Sequence, residues 1–146
     1  MGYNNKEMYD KSVNEIEPAV IDAINKRFAG KVEAYKPEDI DPRTGKNNED
    51  YLRHRDVAIK ILETDETKYY DVKIQPPGRT RNFSIADTLQ NIDTIDGFIF
   101  VIDKTAYVCT YNDVMKNLTA KLYHTQNYSL ISVYNMRKIS KYSFEI

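Results

Sequence analysis

The sequence predicts an α/β (α+β) fold, a mixed central β-sheet flanked by helices, and three observations carry that prediction. Residues 12–28 hold an amphipathic helical stripe, and Arg53 to Gln75 reads as two strands joined by a polar turn. Phe98-Ile99-Phe100-Val101-Ile102 is an apolar strand run, followed after Asp103-Lys104-Thr105 by a second strand from Ala106 to Tyr111. Helices alternating with strands in this way fold by packing helices on the faces of a sheet. At 146 residues and 41% hydrophobic content, residues 1–146 suit one domain with a core of its own.

The first helix carries Val13, Val20, Ile24 and Phe28 at spacings near 3.6, widened by Ile16 and Ile21 and stopped by Gly30. It forms one helix or two joined at Pro18. Ser12-x-x-Glu15 and Asn14-x-x-Glu17 both have the spacing of a capping box. Glu17 falls on the apolar stripe, four residues after Val13 and three before Val20, where a carboxylate is expensive to bury; Glu15 points elsewhere. Lys31 to Lys36 alternates as a strand ended by Pro37. The polar stretch 37–50, dense in turn residues, is a long connection of the kind that touches a substrate or gates a cleft.

The hairpin is where chemistry gathers. In its second strand Tyr69, Asp71, Lys73 and Gln75 share one face, and Tyr70, Val72 and Ile74 the other. The first strand has Val57, Ile59 and Ile61 in alternation and opens with Asp56, which hairpin pairing returns toward Asp71 and Lys73. Two carboxylates and a lysine then converge at one end of a sheet. His54-Arg55-Asp56 and Val57-Ala58-Ile59-Lys60 imitate two protein-kinase signatures. Those belong on distant elements, and this chain has neither the glycine-rich loop nor Asp-Phe-Gly.

After the hairpin, Pro76-Pro77 forces the chain out of the sheet. Ile85, Leu89 and Ile92 predict a short helix over 84–92. Asn112 or Asp113 caps a helix running to about Lys121, a final strand covers 129–134, and the C-terminal tail with Arg137, Lys138 and Lys141 is polar and basic.

Asp56, Asp71-Val72-Lys73 and a glutamate on the preceding helix, Glu17 or secondarily Glu15, resemble the PD-(D/E)XK phosphodiesterase superfamily. That family includes restriction enzymes, Holliday junction resolvases and phage recombination nucleases. Its pattern is an acid opening one strand, acid-x-Lys on the next, and often a helical glutamate. Here Arg55 stands where the family commonly has proline, and Asp71 where glutamate is commoner. The order of helix, three-strand meander, helix and strand, over roughly Ser12 to Tyr111, also resembles the family's core, and small resolvase-like or phage-type nucleases in particular.

The resemblance implies a restriction-endonuclease-like core and a metal-dependent nuclease acting on DNA, with structured or branched DNA as a substrate class. Asp56, Asp71, Glu17 and the Val72 carbonyl would hold Mg²⁺ or Mn²⁺, and Asp56, Asp71, Lys73 and Glu17 would form the catalytic set. Arg53, Arg55, Gln75, Arg79 and Arg81 would hold phosphates without reading bases, His54 is a further base or phosphate contact, and Tyr69 could stack on an unpaired base. A homodimer would suit paired-strand cleavage. The competing class is an inactive nuclease-like module binding nucleic acid or a protein partner, which the net charge of −1 suits equally. A third, an unrelated α+β interaction domain, requires Asp56 and Asp71 to lie on opposite sides of the fold.

The lone Cys109 allows no internal disulfide, and with only His54 and His124 there is little from which to build a zinc site, which fits a reducing, cytoplasmic compartment. A polar N-terminus and the lack of an apolar run of about 18 residues predict neither a secretory signal nor a membrane span.

Overall fold

A computed structural model describes residues 5–37, 54–75, 81–90, 92–118, 120–121 and 128–146. The chain opens with α1 (Asn5–Lys11), one π-helical turn (Ser12–Ile16) and α2 (Glu17–Arg27). Pro18 explains the wide turn. In a regular α-helix its ring would press on the carbonyl four residues back, and here the Glu17 N–H reaches the Ser12 carbonyl instead. Neither predicted capping box forms on this continuous helical path; Ser12 Oγ donates to Glu17 Oε2 at 3.2 Å.

Strands β1 (Val32–Tyr35), β2 (Val57–Ile61) and β3 (Glu66–Lys73) form an antiparallel meander. The turn between β2 and β3 is closed by Asp65 at φ 61°, a left-handed conformation that a short polar side chain tolerates. Then β5 (Gly97–Ile102) lies parallel to β3, and β6 (Thr105–Thr110) and β9 (Tyr142–Glu145) complete a six-stranded mixed sheet in the order β1-β2-β3-β5-β6-β9. A second, antiparallel sheet joins β4 (Asn82–Ala86), β8 (Tyr128–Ser132) and β7 (Ala120–Lys121) in the order β4-β8-β7. Two short helices, α3 (Tyr111–Lys116) and α4 (Val133–Ile139), accompany it.

Alternation along the central strands divides the core in two. On one face Val57, Val72, Ile99, Val101 and Phe144 pack against Val20 and Ile24 of α2. On the other, Phe98, Phe100 and Cys109 meet Phe83 and Ile85 of β4, Ile131 of β8, Val114 of α3 and Met136 of α4. Phe83 and Phe100 have ring centroids 4.8 Å apart. Each phenylalanine buried this completely contributes about 1.5–3 kcal/mol. The mixed sheet with helices on its faces is therefore as predicted, with the second face covered largely by another sheet.

Three elements differ from expectation. The helix predicted over 84–92 is strand β4 followed by a 3-10 turn (Asp87–Leu89). Phe83 and Ile85 alternate into the core as β4 pairs with β8, and the turn then brings Leu89 in, so a strand and a turn satisfy the same apolar spacing. The α3 helix starts earlier than predicted and stops at Lys116; Thr110 is its cap, with Oγ1 accepting from the Asp113 N–H at 3.2 Å. The basic tail is folded. Ser132 ends β8 and caps α4, and Met136 and Phe144 are buried. The long connection 37–50 lies outside the described residues apart from Pro37.

Gly97 begins β5 where backbones crowd: a Cβ there would lie 2.3 Å from the Cys109 carbonyl oxygen and 2.9 Å from Tyr70 Cε1. Gly97→Ala should lower stability by about 1–3 kcal/mol through overpacking. In urea unfolding the midpoint should fall with no change in m-value.

Candidate active site

Two strands and a helix supply the site. Asp56 stands just before β2, and its backbone N–H donates to the Tyr70 carbonyl at 2.9 Å. Beyond that bond the β2–β3 ladder ends, and the next outward amide on β3, the Val72 N–H, donates to Asp56 Oδ2 at 2.8 Å. A carboxylate thus replaces the missing strand carbonyl. Because β3 alternates, Val72 drops into the α2-side core while Asp71 and Lys73 share the other face, in register with Phe98 and Phe100 of β5.

Asp71 is only 4% exposed. Lys73 Nζ lies 3.0 Å from its Oδ2, yet no donor meets that buried oxygen in hydrogen-bonding alignment. Asp56 is an electrostatic neighbour of Asp71. Its carboxyl is held well above the usual value of 3.8, first by burial, then by the charges of Asp71 and Glu17; the Val72 N–H opposes this only in part. Glu17, 3% exposed at the start of α2, is therefore an electrostatic neighbour of Asp56.

Among the described residues, no three His, Cys, Asp or Glu side chains form a ready-made cation cage. The donors nonetheless fit a hard divalent cation. Mg²⁺ commonly takes one or two carboxylates and fills its remaining positions with water and phosphate oxygens. A buried Asp71 oxygen without an aligned donor, beside a second carboxyl made basic by burial and by its acidic neighbours, is the arrangement a cation relieves.

Of the residues singled out from the sequence, Asp56, Asp71, Lys73 and the Val72 backbone come together, and Glu17 bears on Asp56 through its charge. Asp56 and Asp71 adjoin, so the condition for an unrelated interaction domain is not met. Glu15 is exposed on the π-helical turn, away from this cluster. Arg55 has a structural occupation: its Nε donates to the Thr94 carbonyl at 2.6 Å, and its guanidinium lies 4.0 Å over the Tyr69 ring. Gln75 Nε2 donates to the Asn82 carbonyl at 3.2 Å, tying the end of β3 to the start of β4. Arg81 is exposed beside β4, and His54 is half-buried just before Arg55. Arg53 and Arg79 lie outside the described residues.

Sequence reasoning missed Lys36, whose Nζ lies 2.9 Å from Glu17 Oε1. Its signal was its place, at the end of a strand and just before Pro37, but no local period shows which acid it meets. No family model, curated protein or solved structure matches the chain.

Because its folded value is raised, Asp56 holds its proton more tightly in the folded chain than in the unfolded one. Its contribution to stability is complete below 3.8 and is lost as pH rises through the raised folded value. Asparagine keeps an oxygen for the Val72 N–H and carries no charge. In chelator-treated protein, Asp56→Asn should therefore raise the melting temperature at pH 8 by several degrees, and the gain should shrink toward pH 4. Melts across that range check it.

Proposed function

We propose that the chain is a metal-dependent nuclease of the PD-(D/E)XK kind, hydrolysing phosphodiester bonds in DNA, structured or branched DNA included. The observation that carries this reading is the meeting of Asp56 with Asp71 and Lys73 at the open end of the β2–β3 ladder, with Glu17 of α2 alongside. The succession of helix, three-strand meander and parallel return strand β5 also supports a restriction-endonuclease-like core, although the connection between β3 and β5 runs through β4 instead of a helix. No helix among the described residues is long and apolar enough to cross a membrane.

Asp56 and Asp71 would present oxygens to Mg²⁺ or Mn²⁺, with Glu17 and the Val72 carbonyl as the remaining protein donors. When bound, the cation polarises phosphoryl oxygens and acidifies water. Lys73 Nζ, beside Asp71, orients the attacking water and faces the negative charge that develops on the phosphoryl group. Arg81 is left to hold the phosphate backbone, together with Arg53 and Arg79, and sequence-independent contacts of this kind position a substrate without reading bases.

Labelled duplex, single-stranded, flapped and four-way-junction DNA incubated with Mg²⁺ or Mn²⁺ tests the proposal. Wild type should cut at least one of them, and Asp71→Ala and Lys73→Ala should each lose about 10²–10³-fold in rate. Cation-independent cutting, or cutting unchanged in both variants, would overturn it. A folded wild type that cuts none of them leaves the inactive binding module.

A further inference from the structure

The six-stranded sheet ends in β1 on one side and β9 on the other, and these two edges differ. Along β1 the Leu62 N–H donates to the Lys31 carbonyl, so by the two-residue alternation Glu33 and Tyr35 face β2 while Val32 and Ala34 turn their main chain outward. Both outward N–H groups are taken. That of Val32 donates to the Phe28 carbonyl at 3.2 Å, and that of Ala34 to Asn25 Oδ1 at 2.8 Å, while Asn25 Nδ2 donates to the Ala34 carbonyl at 2.9 Å. The end of α2 thereby closes this edge.

The β9 edge is open. The Ile146 N–H donates to the Lys104 carbonyl at 2.9 Å, so Phe144 faces β6, and Ser143 and Glu145 present N–H and C=O to the outside. Among the described residues nothing meets those groups, and both residues are exposed. An edge of this kind is a template for another strand.

The strand that fits it is β9 itself. With a two-fold axis at Phe144, antiparallel pairing sets Ser143 against Glu145 of a second copy, and Glu145 against its Ser143, so every outward group is met. The side chains agree on both faces. Ser143 and Glu145 lie on the α4 side, where Arg137 covers Tyr107, the β6 partner of Ser143, and a hydroxyl there meets a carboxylate. Tyr142, Phe144 and Ile146 lie on the α2 side, against Phe28 and its neighbours. There Phe144 meets its symmetry mate, and Tyr142, 60% exposed in the single chain, is covered by Ile146. A register centred on Ser143 would need the Lys141 N–H, which is committed to the Val108 carbonyl at 2.8 Å.

We propose that β9 is a self-pairing edge, through which two copies of the chain join their sheets antiparallel about Phe144. Strands β5 and β6 separate it from β3, so the pairing holds whether or not the acidic end hydrolyses DNA. A four-residue edge makes a small interface, and the dimer should dissociate at about 10–100 µM.

Sedimentation velocity of the full chain from about 5 to 500 µM, with amide exchange read by NMR over the same range, tests this. Wild type should pass from monomer to dimer and stop there. As it does, exchange at Ser143 and Glu145 should slow about tenfold, whereas Phe144, already bonded to β6, should change little. Ser143→Pro removes an outward donor and should stay monomeric throughout. Tyr142→Asp, at an exposed position, should weaken the dimer by about tenfold and serves should the proline variant fail to fold. A wild type still monomeric at the highest concentration, or a dimer unchanged in both variants, would overturn the proposal. So would assembly that runs past the dimer, or Ser143 and Glu145 amides already slow at the lowest concentration.

Discussion

A buried amide must find an acceptor, and at Val72 that requirement organises one end of the molecule. Strand β2 starts at Val57, so no β2 carbonyl remains to meet the Val72 N–H; the Asp56 side chain meets it instead, at 2.8 Å. The bond fixes Asp56 against β3. It does so at the cost of placing a carboxyl beside Asp71, and of holding both near Glu17. The raised proton affinity of Asp56 comes first from its burial and then from the neighbouring carboxylates. A fold selected for stability alone would satisfy the amide with a strand carbonyl or a neutral side chain, and the retained carboxylates are better explained by a ligand that relieves them.

Two lysines pair with two of the three acids from different places in the fold. Lys73 lies two residues from Asp71 on one strand, whereas Lys36 reaches Glu17 from the end of β1, which Asn25 ties to α2. Another basic residue beside the site has a structural occupation. Arg55 holds the Thr94 carbonyl and covers Tyr69. A chain of net charge −1 offers a phosphate no overall attraction.

Local periodicity made most of this site legible. Alternation alone put Asp71 and Lys73 on one face with Val72 opposite, and the 3.6-residue stripe of α2 marked Glu17 as an acid in an apolar row; it is buried as that stripe requires. Lys36 and Asn25 were invisible because their partners lie 19 and 9 residues away on other elements, where no period applies. The second sheet failed for a related reason. Ile85, Leu89 and Ile92 fit a helix by spacing, and only the pairing of β4 with β8, more than forty residues later, makes the segment a strand. The tail read as polar because α4 and β9 expose most of their residues and bury few, Met136 and Phe144 among them.

The substitution of a sheet for a helix between β3 and β5 bears on what the site requires. Asp56, Asp71 and Lys73 are set by the end of the meander, and Glu17 and Lys36 by α2 and β1, all on or beside the first three strands. The β4-β8-β7 sheet serves the opposite core, where Phe83 and Ile131 cover Phe98 and Phe100. Any layer that buries those two rings leaves the position of Asp71 unchanged, because β3 takes its register from β2 and β5. The covering layer can therefore differ while the acidic end keeps its geometry. Among the described residues, Gln75 ties it to the site, fastening the end of the strand carrying Asp71 and Lys73 to the first residue of β4. Through that bond the second sheet steadies the end of β3 without contributing a charged group.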